Sequence, residues 1–282
     1  MKITIIIPVY NEQAHIEHML GSLVGQTTKP SQVIIVDDNS TDNTPSIIKK
    51  YVDTYPWITT VNTHKTSKHS PGAKVIEAFY KGYEKCDLDA QLIGKFDADI
   101  ILPTNYLEKM IGIFASDNLV GMASGNLYIK KRDVWIFESI SEKTKVRGPI
   151  KLYKKECFEA IGGLKKSIGW DTVDGLLAAF HGWKTKTDPL LHVKHLKATG
   201  NAYTSGAKHK QGEAFYKMRY SKTLARIAAL KLAVSKRDPL FYLHCMQGYN
   251  ISRKQKQPFI VSKQEGEFIR NFRWKSIKNK IL

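Results

Sequence analysis

Four short apolar runs in the first hundred residues, each followed by a stretch with helical spacing, most constrain what this chain can fold into. Ile3 to Val9 reads as a buried strand; Ile16, Leu20, Leu23 and Val24 then fall on one face of a helix that Asn11 is placed to cap. Val33 to Val36 is a second strand, and Thr44-Pro45 opens a helix with Ile47, Ile48, Tyr51 and Val52 facing inward. Ile58 to Val61 supplies a third strand. Ser70-Pro71 opens a helix carrying Val75, Ala78, Phe79 and Gly82, and Leu92 to Phe96 is the fourth strand. This alternation predicts an α/β fold, with a mostly parallel sheet and helices on both faces.

Beyond Pro103 the rhythm changes. Helical spacing over Tyr106 to Phe114 precedes a strand over Leu119 to Ile129, and Asp171 to His181 reads as helix before a strand over Leu190 to His195. After Gly206 the pattern is helical, with breaks near Pro239 and Pro258. Charge shifts at the same place. Of a formal net charge of +18, residues 206–282 carry most, with 18 Lys and Arg against 4 Asp and Glu. The expected organisation is therefore a catalytic domain over residues 1–205 and a basic, mainly helical appendage over 206–282. Such asymmetry points to an anionic partner, although a solvated basic face is the plain alternative. The N-terminal apolar run stops at Val9, and no later stretch approaches 18 uninterrupted apolar residues, so the expected location is the cytoplasm, in solution or bound to a surface. Cys86, Cys157 and Cys245 are far apart and suggest neither a metal pair nor a disulfide framework.

In open α/β sheets, ligands sit beyond the carboxyl ends of the strands. Three of the expected strands end in polar clusters there: Pro8-Val9-Tyr10-Asn11-Glu12, Asp37-Asp38-Asn39-Ser40-Thr41-Asp42 and Asp97-Ala98-Asp99. Alternate residues on an extended segment point the same way, so Asp97 and Asp99 can face one ion or one ligand. Mg²⁺ and Mn²⁺ are hard cations held by one or two carboxylates together with substrate phosphates. Part of the second cluster, Asn39, Ser40 and Asp42, reads equally as a polar turn capping the next helix.

The order and spacing of these three motifs resemble glycosyltransferase family 2. The likeness runs over roughly residues 1–200 and implies a GT-A fold, a Rossmann-like domain that binds a nucleotide-diphosphate sugar. By that resemblance Pro8, Tyr10 and Glu12 lie along the nucleoside, Asp38 meets the base, and UDP is the expected nucleotide. Asp97 lies near the ribose and the metal, and Asp99 binds the metal, Mn²⁺ or Mg²⁺. Lys74 matches the place where the family sets a basic residue near the donor but reads equally as an ordinary helix-surface lysine, and Lys95 has a similar standing. The family's catalytic base is the aspartate of a Glu-Asp pair opening a later helix; here Asp171 takes that place, Trp170 replaces the glutamate and Asp174 stands in reserve. Some members add a histidine to the metal, and His195 matches. His192, three residues earlier on the same strand, faces the other way. The resemblance implies inversion at the sugar carbon.

The Gln-x-x-Arg-Trp motif of processive members is absent, which favours addition of single sugars to a glycan or lipid-linked acceptor. Basic residues mixed with aromatics after Gly206, among them Phe215, Arg219, Tyr220, Phe272 and Arg273, suit the surface of an anionic membrane. No nucleic-acid module is visible, so nucleic acid is not an expected partner. A nucleotidyltransferase is the alternative enzyme class, but no Gly-rich basic loop follows the first strand to cradle a triphosphate.

Overall fold

A computed structural model describes residues 1–63, 73–139, 142–197 and 205–281 of the chain. They form two compact units. The first takes Met1–Ser70, Lys74–Leu164 and His181–Asn201; the second takes Pro71–Ala73, Lys165–Phe180 and Ala202–Leu282. The second unit is discontinuous in sequence, taking in the segment from Lys165 to Phe180 as well as the C-terminal residues.

The first unit is built on β1 (Ile3–Val9), α1 (Ile16–Val24), β2 (Gln32–Asp37), α2 (Thr44–Thr54), β3 (Ile58–Asn62), α3 (Ala73–Tyr83), β4 (Leu92–Phe96), β5 (Ile100–Ile101), α4 (Tyr106–Ser116), β6 (Val120–Lys131), β7 (Val134–Phe137), β8 (Ile150–Lys154), α5 (Lys155–Ala160) and, after a segment in the second unit, β9 (Lys184–His195). The strands form one sheet in the order β3-β2-β1-β4-β8-β6-β9-β5, with β7 paired to β6. Its first four strands are parallel. Beyond them the sheet is mixed: β8 runs antiparallel to β4 and to β6, while β6 and β9 are parallel.

Strand alternation assigns the two faces. Ile3, Ile5, Ile7 and Val9 of β1, with Val33 and Ile35 of β2, join one core with Ile16, Met19, Leu20 and Leu23 of α1, Ile47 and Ile48 of α2 and Met110 and Phe114 of α4. Ile6, Ile34 and Val36 point to the opposite face, where a Cβ placed on Gly82 of α3 would lie 2.6 Å from Ile6 Cγ2 and 2.8 Å from Val36 Cγ2. Only glycine lets α3 approach that closely. Full burial of such aliphatic side chains is worth about 1.5–3 kcal/mol each.

Asn11 does not cap α1, contrary to the sequence-based expectation. It adopts φ 52 and ties the first rim loop to the second: its Oδ1 accepts from Thr41 N at 2.8 Å, and its backbone N–H donates to Ser40 Oγ at 2.9 Å. Asparagine tolerates this left-handed backbone better than most residues. The helix opening expected at Ser70-Pro71 lies outside the described residues.

The second unit contains α6 (Trp170–Phe180), α7 (Ser205–Lys217), α8 (Lys222–Lys236), α9 (Pro239–Lys254) and α10 (Lys263–Ile281). The breaks foreseen at Pro239 and Pro258 are where α9 starts and where α9 and α10 are separated. Ser221 caps α8 by accepting from Leu224 N, and Asp238 caps α9 by accepting from Phe241 N. Gly212 of α7 and Gly248 of α9 bring those helices into backbone contact. A Cβ on Gly212 would lie 1.7 Å from Cys245 O, and one on Gly248 would lie 2.0 Å from His209 O.

Candidate active site

Parallel strands deliver the three polar clusters to one edge of the sheet. β1 ends at Val9, whose carbonyl accepts from Asp38 N at 2.8 Å, so the first two clusters are joined at their roots. Asp38 Oδ1 accepts from Thr63 Oγ1 at 2.6 Å. Asp37 and Asp42 support the loop: Asp37 Oδ1 accepts from Ser40 N and Oγ, and Asp42 accepts from Thr44 N and Gln13 N. Asn39 takes φ 64 in the same turn. Pro8 is half-buried and Tyr10 is 51% exposed, leaving its ring open to solvent. Glu12 accepts from Lys197 Nζ through both carboxylate oxygens at 2.6 Å.

The third cluster meets a residue from almost one hundred positions later. Asp97 and Asp99 follow β4, and the antiparallel pair Ile100–His195 between β5 and β9 brings the histidine to them. Ligand atoms of Asp97, Asp99 and His195 all lie within 4.8 Å of one another, the one grouping of this kind among the described residues. His195 Nε2 is 3.6 Å from Asp99 Oδ2. Burial, and then the neighbouring charge of Asp97, push the Asp99 carboxyl up to about 6 against the opposing effect of His195. Burial alone would lower the His195 pKa, but the Glu138 hydrogen bond and the charges of Asp99, Glu138 and Asp97 raise it. Two crowded carboxylates and an imidazole are a suitable donor set for a divalent cation such as Mn²⁺ or Mg²⁺.

Behind this group lies a buried chain that the sequence reading did not single out. Glu138, 1% exposed, follows β7 and its Oε2 lies 3.3 Å from His195 Nδ1. Arg147 Nη2 donates to the same oxygen at 2.9 Å, and Nη1 donates to Glu138 O at 3.3 Å. β7 pairs with one edge of β6 and β9 with the other, which is how Glu138 reaches a residue 57 positions away. Neither residue sits in a recognisable motif, and no periodicity would have found them. Lys197, which holds Glu12, was missed for the same reason. The side chain of Lys95 is buried and pairs with Asp97 Oδ1.

Two further expected residues lie on helices. Lys74 is half-buried on the first turn of α3. Asp171 belongs to the second unit, half-buried in the first turn of α6, whose Trp170 and Asp174 are buried. His192 faces away from His195, as expected, and packs on Tyr128 with ring centroids 4.1 Å apart.

The model of the family described as Glycosyl transferase family 2 matches residues 4–164, more than half of the chain. The chain belongs to glycosyltransferase family 2. Among similar proteins of this family's kind, a dolichol-phosphate mannosyltransferase of Pyrococcus furiosus is 25% identical over 215 residues, covering 73% of this chain and 57% of that protein. The chain spans about half the length, or less, of the curated relatives it matches. Solved structures share the fold. The mannosyltransferase PcManGT from Pyrobaculum calidifontis, in complex with GDP-Man and Mn²⁺, is 19% identical with a TM-score of 0.59, covering 95% of this chain and 78% of that one. S. aureus TarS 1-349 in complex with UDP-GlcNAc is 18% identical with a TM-score of 0.58, covering 78% and 65%. The fold of this family 2 chain is GT-A.

Proposed function

We propose that the chain moves a sugar from a nucleotide-diphosphate donor to a hydroxyl of a glycan or lipid-linked acceptor, with inversion, in the synthesis of a cell-surface polysaccharide or glycolipid. The observation that carries this reading is the convergence of Asp97, Asp99 and His195 beside the joined loops of β1 and β2. In this reading Pro8, Tyr10, Glu12 and Asp38 hold the nucleoside, with Asp38 on the base. Lys74 approaches the donor phosphates. Asp97, Asp99 and His195 hold a divalent cation, which when bound supplies positive charge against the departing diphosphate. Structural neighbours are in accord, since PcManGT is described with GDP-Man and Mn²⁺ and TarS with UDP-GlcNAc.

At the anomeric carbon the transfer forms one bond and breaks one. The acceptor oxygen attacks the anomeric carbon, Asp171 takes its proton, and the bond from that carbon to the diphosphate oxygen breaks as the nucleoside diphosphate leaves. A lipid-linked acceptor places this work at a membrane, where the basic region after residue 205 assists as an appendage to the catalytic domain. No helix among the described residues is long and apolar enough to cross a membrane.

The test is thermal stabilisation by UDP, GDP, CDP and dTDP, each with Mn²⁺ and with chelator. A ligand at one hundred times its dissociation constant adds about 2.7 kcal/mol. A metal-dependent rise with one diphosphate supports the reading and names the base. No rise with any of them refutes it.

A further inference from the structure

The hairpin of α8 and α9 leaves four large aliphatic side chains near its turn in solvent. On α8, Leu224, Ala225, Ala229 and Ala233 are buried, while Leu230 and Val234 on the opposite side are 57% and 71% exposed. A two-residue link, Arg237-Asp238, turns the chain, and Leu240 and Leu243 at the start of α9 are 58% and 60% exposed. Lys236 Nζ lies 5.5 Å from the Phe241 ring centroid, so the two helices meet at this tip. Lys231, Lys236 and Arg237 are exposed around these side chains. Over residues 221–262 eight lysines and arginines stand against one acidic residue, Asp238, which caps α9.

We propose that the tip of the α8–α9 hairpin is a docking surface for an anionic lipid bilayer. Leu230, Val234, Leu240 and Leu243 enter the boundary between headgroups and acyl chains, and Lys231, Lys236 and Arg237 meet the headgroup phosphates. This deepens the reading of a lipid-linked acceptor and rests on it. The charge selects the occupant. Pressing two copies together through this tip would oppose cation to cation, whereas an anionic bilayer offers both negative charge and an apolar layer. Nucleic acid would meet the charge but leave the aliphatic groups uncovered, since single strands are bound by stacking on aromatic rings.

Flotation with vesicles of phosphatidylcholine, with and without phosphatidylglycerol, tests the proposal on the full chain. Wild-type protein is expected to float with the anionic vesicles, less so as salt rises. The variant L230S/V234S/L240S should partition at least about tenfold less, because three aliphatic groups no longer leave water. K231E/K236E should weaken binding to anionic vesicles by at least about tenfold. All the substituted side chains are exposed, so both variants should melt with the wild type. Absence of wild-type flotation, or undiminished flotation of the serine variant, overturns the proposal. So does a concentration-dependent dimer in sedimentation that the serine variant abolishes, which would assign the face to a second copy. The nucleotide melts separate the two readings, because the vesicles carry neither donor nor acceptor: failed melts refute the transferase, and failed flotation refutes only this surface.

Discussion

His195 Nδ1 lies 3.3 Å from Glu138 Oε2, and the opposite edge of the same ring, Nε2, lies 3.6 Å from Asp99 Oδ2. One imidazole is thus spanned between two carboxylates, one buried in the protein and one at the rim. A histidine that donates from one nitrogen to a carboxylate is fixed in tautomer and orientation, and its other nitrogen is a better metal ligand.

Glu138→Gln should therefore weaken Mn²⁺ binding, measured by electron paramagnetic resonance of the free ion, by about 10–100-fold. Undiminished affinity in that variant would reduce Glu138 to a packing role. Because Arg147 loses its buried carboxylate partner, the same change should destabilise the fold by about 3–5 kcal/mol. Glu138→Asp, which keeps the charge, should recover more of the stability than of the metal affinity, since its shorter side chain draws the carboxylate back from the ring.

Asp99 and Asp171 should separate binding from chemistry. Asp99→Asn should abolish the metal-dependent part of nucleotide stabilisation in the thermal melt. Asp171→Asn should leave that stabilisation intact and lower kcat for transfer by about 10²–10⁴, the usual worth of a general base. Transfer at the wild-type rate in Asp171→Asn would move the base elsewhere, and Asp174 is the next residue to change.

Two glycines in helices should respond to alanine in opposite ways. At Gly248 a Cβ meets the His209 carbonyl oxygen at 2.0 Å, backbone that cannot swing aside, so Gly248→Ala should destabilise by at least about 1–3 kcal/mol. At Gly112 in α4 nothing lies within 4 Å of the added methyl. Gly112→Ala should stabilise by about 0.4–1 kcal/mol, by removing freedom from the unfolded chain. Denaturant midpoints of both variants read the signs directly.

Much of the first unit was legible along the chain because its information is local. Apolar runs of strand length, helix starts at Thr44-Pro45 and acidic residues at strand ends are patterns a few residues wide. β1 to β4 and the first, second and fourth helices appear where their spacing placed them, and the region after Gly206 is helical with breaks at Pro239 and Pro258, while the break between α7 and α8 carries no proline to announce it. Short elements were not legible: β5 has two residues and α5 six, too few for a period to declare itself. Asn11 was misjudged because its side-chain chemistry suits a cap and a left-handed turn alike, and the neighbouring loop of Ser40 and Thr41 decided between them.

The α/β class and the carboxylates at the strand ends are written in short stretches of chain, and the family in the order and spacing of three such stretches. Folding had to add that Glu138 and Arg147 stand behind His195, that Lys197 holds Glu12, and that Lys95 is buried against Asp97. Register is the cause. Residues 57 and 185 positions apart become neighbours through strand pairings and the turns that follow them, and no local spacing encodes that meeting.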